Sequence, residues 1–123
     1  MDILNELEVE FYVAPYEADA QMSYMVKQGI ADFAISEDSD LVAYGCPRIM
    51  MKMDHMGSCK EFNYDDFKEF EAKSAEEKKT GIESLQALDQ EQFMFACAMA
   101  GCEYLPNIDR VGLKVALKHF GKH

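Results

Sequence analysis

Two short groups of carboxylates carry the strongest chemical signal in this chain. Glu17-Ala18-Asp19 follows the apolar stretch Phe11-Tyr12-Val13-Ala14, and Asp38-Ser39-Asp40 follows Phe33-Ala34-Ile35. Within each group the acids stand two residues apart. In extended chain such residues project to one side, whereas on a helix they diverge. Acids that converge from the ends of neighbouring strands repel one another unless a cation lies between them, and oxygen donors of this kind suit Mg²⁺ or Mn²⁺. Metal-dependent chemistry is therefore the first expectation. Each group also has a plainer explanation. Glu17 and Asp19 in the first turn of a helix would stabilise its positive end by ~0.3–1 kcal/mol, and Ser36 or Asp38 could cap a short helix. Their joint placement favours the metal reading, because both groups fall at the same end of adjacent predicted strands. In parallel α/β sheets that carboxyl edge is where ligands bind.

The elements that must position these acids are legible in outline. Glu8 to Ala14 reads as a strand, aromatic and β-branched with partial alternation, and Pro15 ends it. Ala18 to Lys27 reads as a helix that Gly29 stops. Asp32 to Ser36 is a second short strand, and Leu41 to Tyr44 is one helical turn ending at Gly45. Arg48 to Met53 is a third strand, joined through Asp54-His55-Met56-Gly57 to a fourth at Ser58 to Asn63 as a hairpin. Strand–helix–strand order with short connections predicts an α/β layer with at least two parallel strands. Tyr64 to Glu71 reads as a helix, and the charged, weakly apolar residues 72–86 read as a mobile surface connection. Asp89 to Ala100 is a helix with Asp89 as its cap, Gln92 at capping-box spacing, and an apolar stripe of Phe93, Ala96, Cys97 and Ala100. A last helix is predicted from Val111 to Phe120 after the Leu105-Pro106-Asn107 turn.

Composition narrows the function classes. A chain of 123 residues, 49% hydrophobic and 28% charged, suits one folded domain. No apolar run approaches the ~18 residues a membrane span needs. Met1-Asp2-Ile3-Leu4 has neither the basic start nor the apolar core of a secretory signal, so a cytosolic or nuclear protein with no membrane partner is expected. The cysteines Cys46, Cys59, Cys97 and Cys102 make no C-x-x-C pair, and His55, His119 and His123 complete no zinc pattern. They read as thiols in a reducing compartment, and the nine methionines read as packing. The net charge of −11 argues at first against nucleic acid, but its distribution is uneven. Residues 1–40 hold Lys27 as their one base among ten acids, whereas residues 104–123 hold Arg110, Lys114, Lys118 and Lys122 against Asp109 alone. The three lysines recur every four residues and form one helical stripe. That stripe is either an ordinary solvated face or an edge that contacts phosphates without reading sequence.

Three segments carry a family likeness. Val13-Ala14-Pro15-Tyr16-Glu17-Ala18-Asp19-Ala20-Gln21 resembles the internal motif of the flap-endonuclease family of structure-specific 5′ nucleases. Ser36-Glu37-Asp38-Ser39-Asp40-Leu41-Val42-Ala43-Tyr44-Gly45 resembles that family's next metal-binding motif. Gly101-Cys102-Glu103-Tyr104-Leu105-Pro106, then Gly112-Leu113, resembles the start of its helix–two-turn–helix element. The cysteine and Leu-Pro there, with Arg48 to Asp54, are most similar to the exonuclease 1 branch. The likeness covers nearly the whole chain and is weakest at 64–88.

The resemblance implies an α/β fold of the PIN-like 5′ nuclease type, a partial parallel sheet with flanking helices running into a helix–two-turn–helix segment. It implies residues 1–71 as the C-terminal part of the nuclease core, 72–88 as a variable surface connection, and 89–123 as the helix–two-turn–helix. It further implies a nuclear DNA-repair hydrolase, a 5′-to-3′ exonuclease or flap endonuclease. Such an enzyme cuts phosphodiesters near a 5′ end, flap, nick or gap with two Mg²⁺ or Mn²⁺ ions, alongside repair or replication proteins. By motif match Glu17, Asp19, Asp38 and Asp40 would be catalytic metal ligands, with Glu103 a further ligand where the family usually has aspartate. Arg110, Lys114, Lys118 and Lys122 would meet DNA, and a K⁺ ion would sit at residues 100–111. Asp109-Arg110-Val111-Gly112 replaces the usual Arg-Gly-hydrophobe-Gly, which restricts positive φ and puts a carboxylate near the DNA backbone. The family's domain begins before this chain does, so the chain is expected to be a piece of a nuclease, inactive alone for want of further acids and the basic arch. Two alternatives differ in class. A non-catalytic module would bind DNA or a protein partner through the lysine stripe. A phosphatase would use Asp38 and Asp40 as an Asp-x-Asp nucleophile, which leaves Glu17 and Asp19 unexplained.

Overall fold

A computed structural model describes residues 2–70, 85–102 and 104–120. The described elements are α1 (Asp2–Glu6), α2 (Ala18–Lys27), β1 (Ala34–Ile35), α3 (Asp40–Ala43), β2 (Arg48–Met51), β3 (Lys60–Asn63), α4 (Tyr64–Glu69), α5 (Gln90–Ala100) and α6 (Leu113–Phe120). β2 is central in a three-stranded sheet of order β1-β2-β3. β1 lies parallel to it with Ala34 opposite Ile49, and β3 antiparallel with Phe62 opposite Ile49. The expected parallel pair and the expected hairpin are thus both present. The hairpin turn is organised by Asp54, whose Oδ1 accepts the amides of Met56 and Ser58 at 2.8 and 2.9 Å.

α2 occupies the span its pattern predicts. Its end is tied by Ile30 N–H to Met25 C=O at 2.9 Å and Gly29 N–H to Val26 C=O at 3.1 Å, with Gly29 at φ +69°. That double bond around a left-handed glycine satisfies carbonyls the helix would otherwise leave open. α2 packs on the sheet through a core of Val26, Ala34, Leu41, Cys46 and Ile49, with Met22, Val42 and Phe62 against it. Ser23 Oγ and Lys27 Nζ both donate to the carbonyl of Tyr44, at 3.3 and 2.6 Å, and so bind α2 to the end of α3.

The segment Glu8 to Ala14 is not a strand. Residues 9–14 are irregular, and Val9, Tyr12 and Val13 are exposed. A strand exists only where its amides find a neighbouring ladder, and among the described residues none runs beside this segment. Its alternation is therefore real as a pattern but unpaired here, and only the second acid group follows a described strand. The strand expected over Asp32 to Ser36 shortens to Ala34–Ile35, and the last helix starts at Leu113 rather than Val111.

α5 is capped as predicted: Asp89 Oδ1 accepts Gln92 N–H at 2.7 Å and Gln92 Oε1 accepts Asp89 N–H at 3.1 Å. Ala96 is buried, and Phe93, Cys97 and Ala100 are partly so. α5 reaches the sheet half of the molecule through Gln90, whose Nε2 donates to Ala43 C=O at the end of α3. Gly45 makes room for that side chain, since a Cβ at Gly45 would lie 2.5 Å from Gln90 Cδ. Two turns join α5 to α6. Cys102 and Leu105 exchange backbone bonds of 3.1 and 3.2 Å, and Ile108 N–H and Val111 N–H then donate to Met99 and Ile108 carbonyls. The connection expected at 72–88 lies mostly outside the described residues, though its end is held where Lys68 Nζ donates to Gln86 and Leu88 carbonyls at 2.9 and 2.6 Å. No described helix is long and apolar enough to cross a membrane.

Candidate functional site

Glu17 stands at the N-cap of α2 with extended backbone, φ −81° and ψ 139°, yet its side chain makes no capping hydrogen bond. Its carboxylate is exposed at the positive end of α2, as the plainer explanation of a favourable helix-end charge supposed. Asp19 lies in the first turn of α2 and is partly buried. The second group is held differently. Ser36 Oγ accepts the amide of Asp38 at 3.0 Å, and Asp38 Oδ1 accepts the amide of Asp40 at 2.9 Å. The N-cap position of α3 is Ser39, which makes no side-chain cap bond, so Asp38 forms an Asx turn just before the helix rather than the cap the plainer reading supposed, and one of its two oxygens is committed to that bond.

The second group follows the carboxyl end of β1, and the first opens α2. The carboxyl of Asp19 is held above its ordinary range, first by burial and then by the negative charges of Asp38, Asp40 and Glu17. Acids from two separate elements thus act on one proton site. Among the described residues no three His, Cys, Asp or Glu side chains are grouped closely enough to hold a metal ion. The donor set suits a hard divalent cation in kind, all oxygen and all acidic. Glu103, the fifth expected ligand, lies outside the described residues.

Behind Asp40 is a cavity of about 230 Å³ lined by Asp40, Tyr44, Met94, Cys97, Cys102 and Tyr104, among others. It joins α3 to the C-terminal end of α5. Burial, and secondarily the charge of Asp40, raises the Cys97 thiol above its ordinary range, so Cys97 is a protonated packing group rather than a nucleophile. Cys46 is raised as well, chiefly by burial.

The basic stripe is partly visible. Lys114 and Lys118 are exposed on α6, and Arg110 is exposed in the turn before it; Lys122 lies outside the described residues. Arg110 has φ +62°. At the position where the resemblance leads one to expect glycine, Arg110 thus holds the left-handed backbone that glycine adopts freely. Asp109 pairs with it only loosely, 3.9 Å between Oδ2 and Nε with both side chains solvated.

One group that the motif reading passed over is Glu37. Its Oε1 accepts the amide of Lys52, just past the end of β2, where Lys52 sits at φ +54°. Nothing in the local sequence announces that bond, because its partner is fifteen residues away.

The sequence pattern of the XPG I-region family matches residues 8–103, from the start of the unpaired segment to the turn after α5. Exonuclease 1 of Xenopus laevis is 37% identical over 110 residues, which cover 89% of this chain and 14% of that protein. The chain thus spans about one-seventh of the length of this relative. In three dimensions the chain superposes on flap endonuclease-1 from Methanococcus jannaschii with a TM-score of 0.68, covering 95% of this chain and 33% of that one at 23% identity. It superposes on the catalytic core of Rad2 in complex with DNA substrate with a TM-score of 0.65 at 21% identity, covering 98% of this chain and 36% of that one. These likenesses fix the fold as that of the flap endonucleases, and the matched pattern, running through both acid groups, makes the chain a member of the XPG I-region family.

Proposed function

We propose that the protein to which this chain belongs is a metal-dependent 5′ deoxyribonuclease acting in DNA repair in the nucleus, as an exonuclease or flap endonuclease. The observation that carries the reading is the family match over residues 8–103, which runs through Glu17, Asp19, Asp38 and Asp40. The carboxyl of Asp19, raised first by burial and then by Asp38, Asp40 and Glu17, is in keeping with it. Membership of the family and the name of the Xenopus laevis relative support the activity. The DNA bound by the Rad2 core supports the substrate class.

In this reading Asp38 and Asp40 present carboxylate oxygens from the loop after β1, and Glu17 and Asp19 present theirs from the start of α2. When bound, Mg²⁺ or Mn²⁺ supplies charge neutralisation and an activated water for phosphodiester hydrolysis. Glu103 would add a further oxygen. Arg110, Lys114, Lys118 and Lys122 hold the duplex backbone and fix its register, and main-chain carbonyls of residues 100–111 are candidates for a K⁺ ion.

The described acids do not by themselves close a ligand shell, so the 123-residue chain alone is expected to show little or no nuclease activity. The test incubates the chain with a 5′-flap or recessed-end duplex and Mg²⁺ or Mn²⁺, and in parallel titrates Mn²⁺ by calorimetry. Weak Mn²⁺ binding that Asp38→Ala abolishes supports the metal centre. Robust cleavage lost in Asp38→Ala would overturn the inactivity, and Mn²⁺ binding indifferent to Asp38→Ala would overturn the assignment of ligands. The exposed Lys114 and Lys118 favour a second reading, a module that binds duplex DNA without cutting it. That reading requires binding that survives Asp38→Ala and Asp40→Ala.

A further inference from the structure

We infer that Glu37 is a positioning residue for the loop that carries Asp38 and Asp40, which it holds by replacing one rung of the sheet. The parallel ladder of β1 and β2 runs on past Ile35: Ser36 N–H donates to Met50 C=O at 3.2 Å. The regular alternation of a parallel pair would next send the amide of Lys52 to the carbonyl of Ser36. It goes instead to Oε1 of Glu37. The side chain thus takes the place of a backbone acceptor at the point where the two strands part.

This exchange has a structural consequence. A chain that continued the ladder would run straight past residue 36. A chain that hands the rung to the next side chain is free to turn, and it does so immediately. Ser36 Oγ takes the Asp38 amide and Asp38 Oδ1 takes the Asp40 amide. Three side-chain acceptors, from Ser36, Glu37 and Asp38, therefore fold five residues into the turn that starts α3. Of these, only the Glu37 bond reaches outside the loop and ties it to the sheet. Lys52 meets it with a left-handed backbone, φ +54°, which an L-residue adopts at a cost. The bond from that amide to the Glu37 side-chain oxygen offsets part of that cost.

The inference rests on the proposed roles of Asp38 and Asp40 only for its consequence, not for the bond itself. The experiment measures amide hydrogen exchange by NMR in the 123-residue chain with chelator present, for the parent, Glu37→Ala, Glu37→Asp and Glu37→Gln. Exchange at Lys52 and Asp40 should accelerate about tenfold or more in Glu37→Ala, the factor equivalent to ~1.4 kcal/mol. It should accelerate also in Glu37→Asp, which keeps the charge but falls short by one methylene. Glu37→Gln keeps an oxygen acceptor of the same reach and should stay near the parent. Amides of Val26 and Ile49 in the core should not change in any variant. Mn²⁺-induced broadening at Asp38 and Asp40 is then titrated, with affinity expected to fall about tenfold in Glu37→Ala and to recover in Glu37→Gln. Parent-like exchange at Lys52 and Asp40 in Glu37→Ala, or equal effects of Ala and Gln, would overturn the inference. Absence of Mn²⁺ broadening in the parent would sink the metal assignment instead, and the exchange rates would still decide the role of Glu37.

Discussion

Asp19 is where the electrostatics of this chain concentrate. Its carboxyl is raised by burial and by three neighbouring acids, so it binds a proton more tightly folded than unfolded. The sign of the linkage follows. Folding is favoured while Asp19 is protonated, and stability is lost as pH rises from the ordinary carboxylate range through the raised folded value. At neutral pH in chelator, Asp19→Asn should therefore unfold at a higher urea midpoint than the parent. The gain should vanish below the carboxylate range, where both forms are uncharged. A parent-like midpoint at neutral pH would mean that neither burial nor the neighbouring acids raise this carboxyl. Arg110 shows a different kind of local cost. It holds φ +62° in an exposed turn, a conformation that costs an L-residue roughly 1–2 kcal/mol, part of which glycine gives back through its greater chain entropy. Arg110→Gly is expected to raise unfolding free energy by about 0.5–1 kcal/mol in urea titrations, while removing one candidate phosphate contact. A destabilised variant would show that the side chain contributes more than its solvated position suggests.

The junction between α3 and α5 joins the sheet half of the chain to the helical half, and it depends on Gly45. The glycine has φ +70°, and a Cβ there would meet three atoms of the Gln90 amide within 2.8 Å. Gln90 cannot simply swing aside, because its Nε2 satisfies the Ala43 carbonyl, and its Oε1 is already buried without a partner. Gly45→Ala should destabilise by about 2–3 kcal/mol, the sum of left-handed strain and overpacking. The measurement is a urea midpoint, with Gly29→Ala as the comparison. Gly29 has a similar φ, +69°, but open space where its Cβ would stand. Equal losses at the two glycines would show that the Gln90 contact adds nothing. The same junction forms the wall of the cavity behind Asp40, so a shift of α5 would reach the acid loop directly.

For the molecule as a whole, the distribution of charge matters more than its sum. A net charge of −11 repels a polyanion, so affinity for duplex DNA depends on where the basic residues gather, and Arg110, Lys114 and Lys118 are exposed on and just before α6. If those residues contact phosphates, binding should weaken as salt rises. Lys114→Ala combined with Lys118→Ala should lower the slope of log affinity against log salt by about two, with little preference among sequences. Binding that ignores both lysines would remove this edge from the interface.

Much of this could be read from the order of residues alone, and for local reasons. The bounds of α2, the Asp89–Gln92 capping box and the Asp54 turn each rest on neighbours within a few positions, which a sequence displays directly. The acid groups were legible too, since their types and spacing travel with the motif. The strand expected from Glu8 to Ala14 was not decidable in that way. A strand is a relation between two chain segments, and alternation states only that a segment could enter one. Four features likewise came from folding alone: the effect of burial and of Glu17, Asp38 and Asp40 on Asp19, the Gln90 reach to Ala43, the positive φ of Arg110, and the rung supplied by Glu37. Each depends on atoms brought together from distant positions or on a backbone angle set by its surroundings. The amino-acid order determined which groups were available for chemistry; packing determined which of them face one another, because proximity across the fold is not written in any local run of residues.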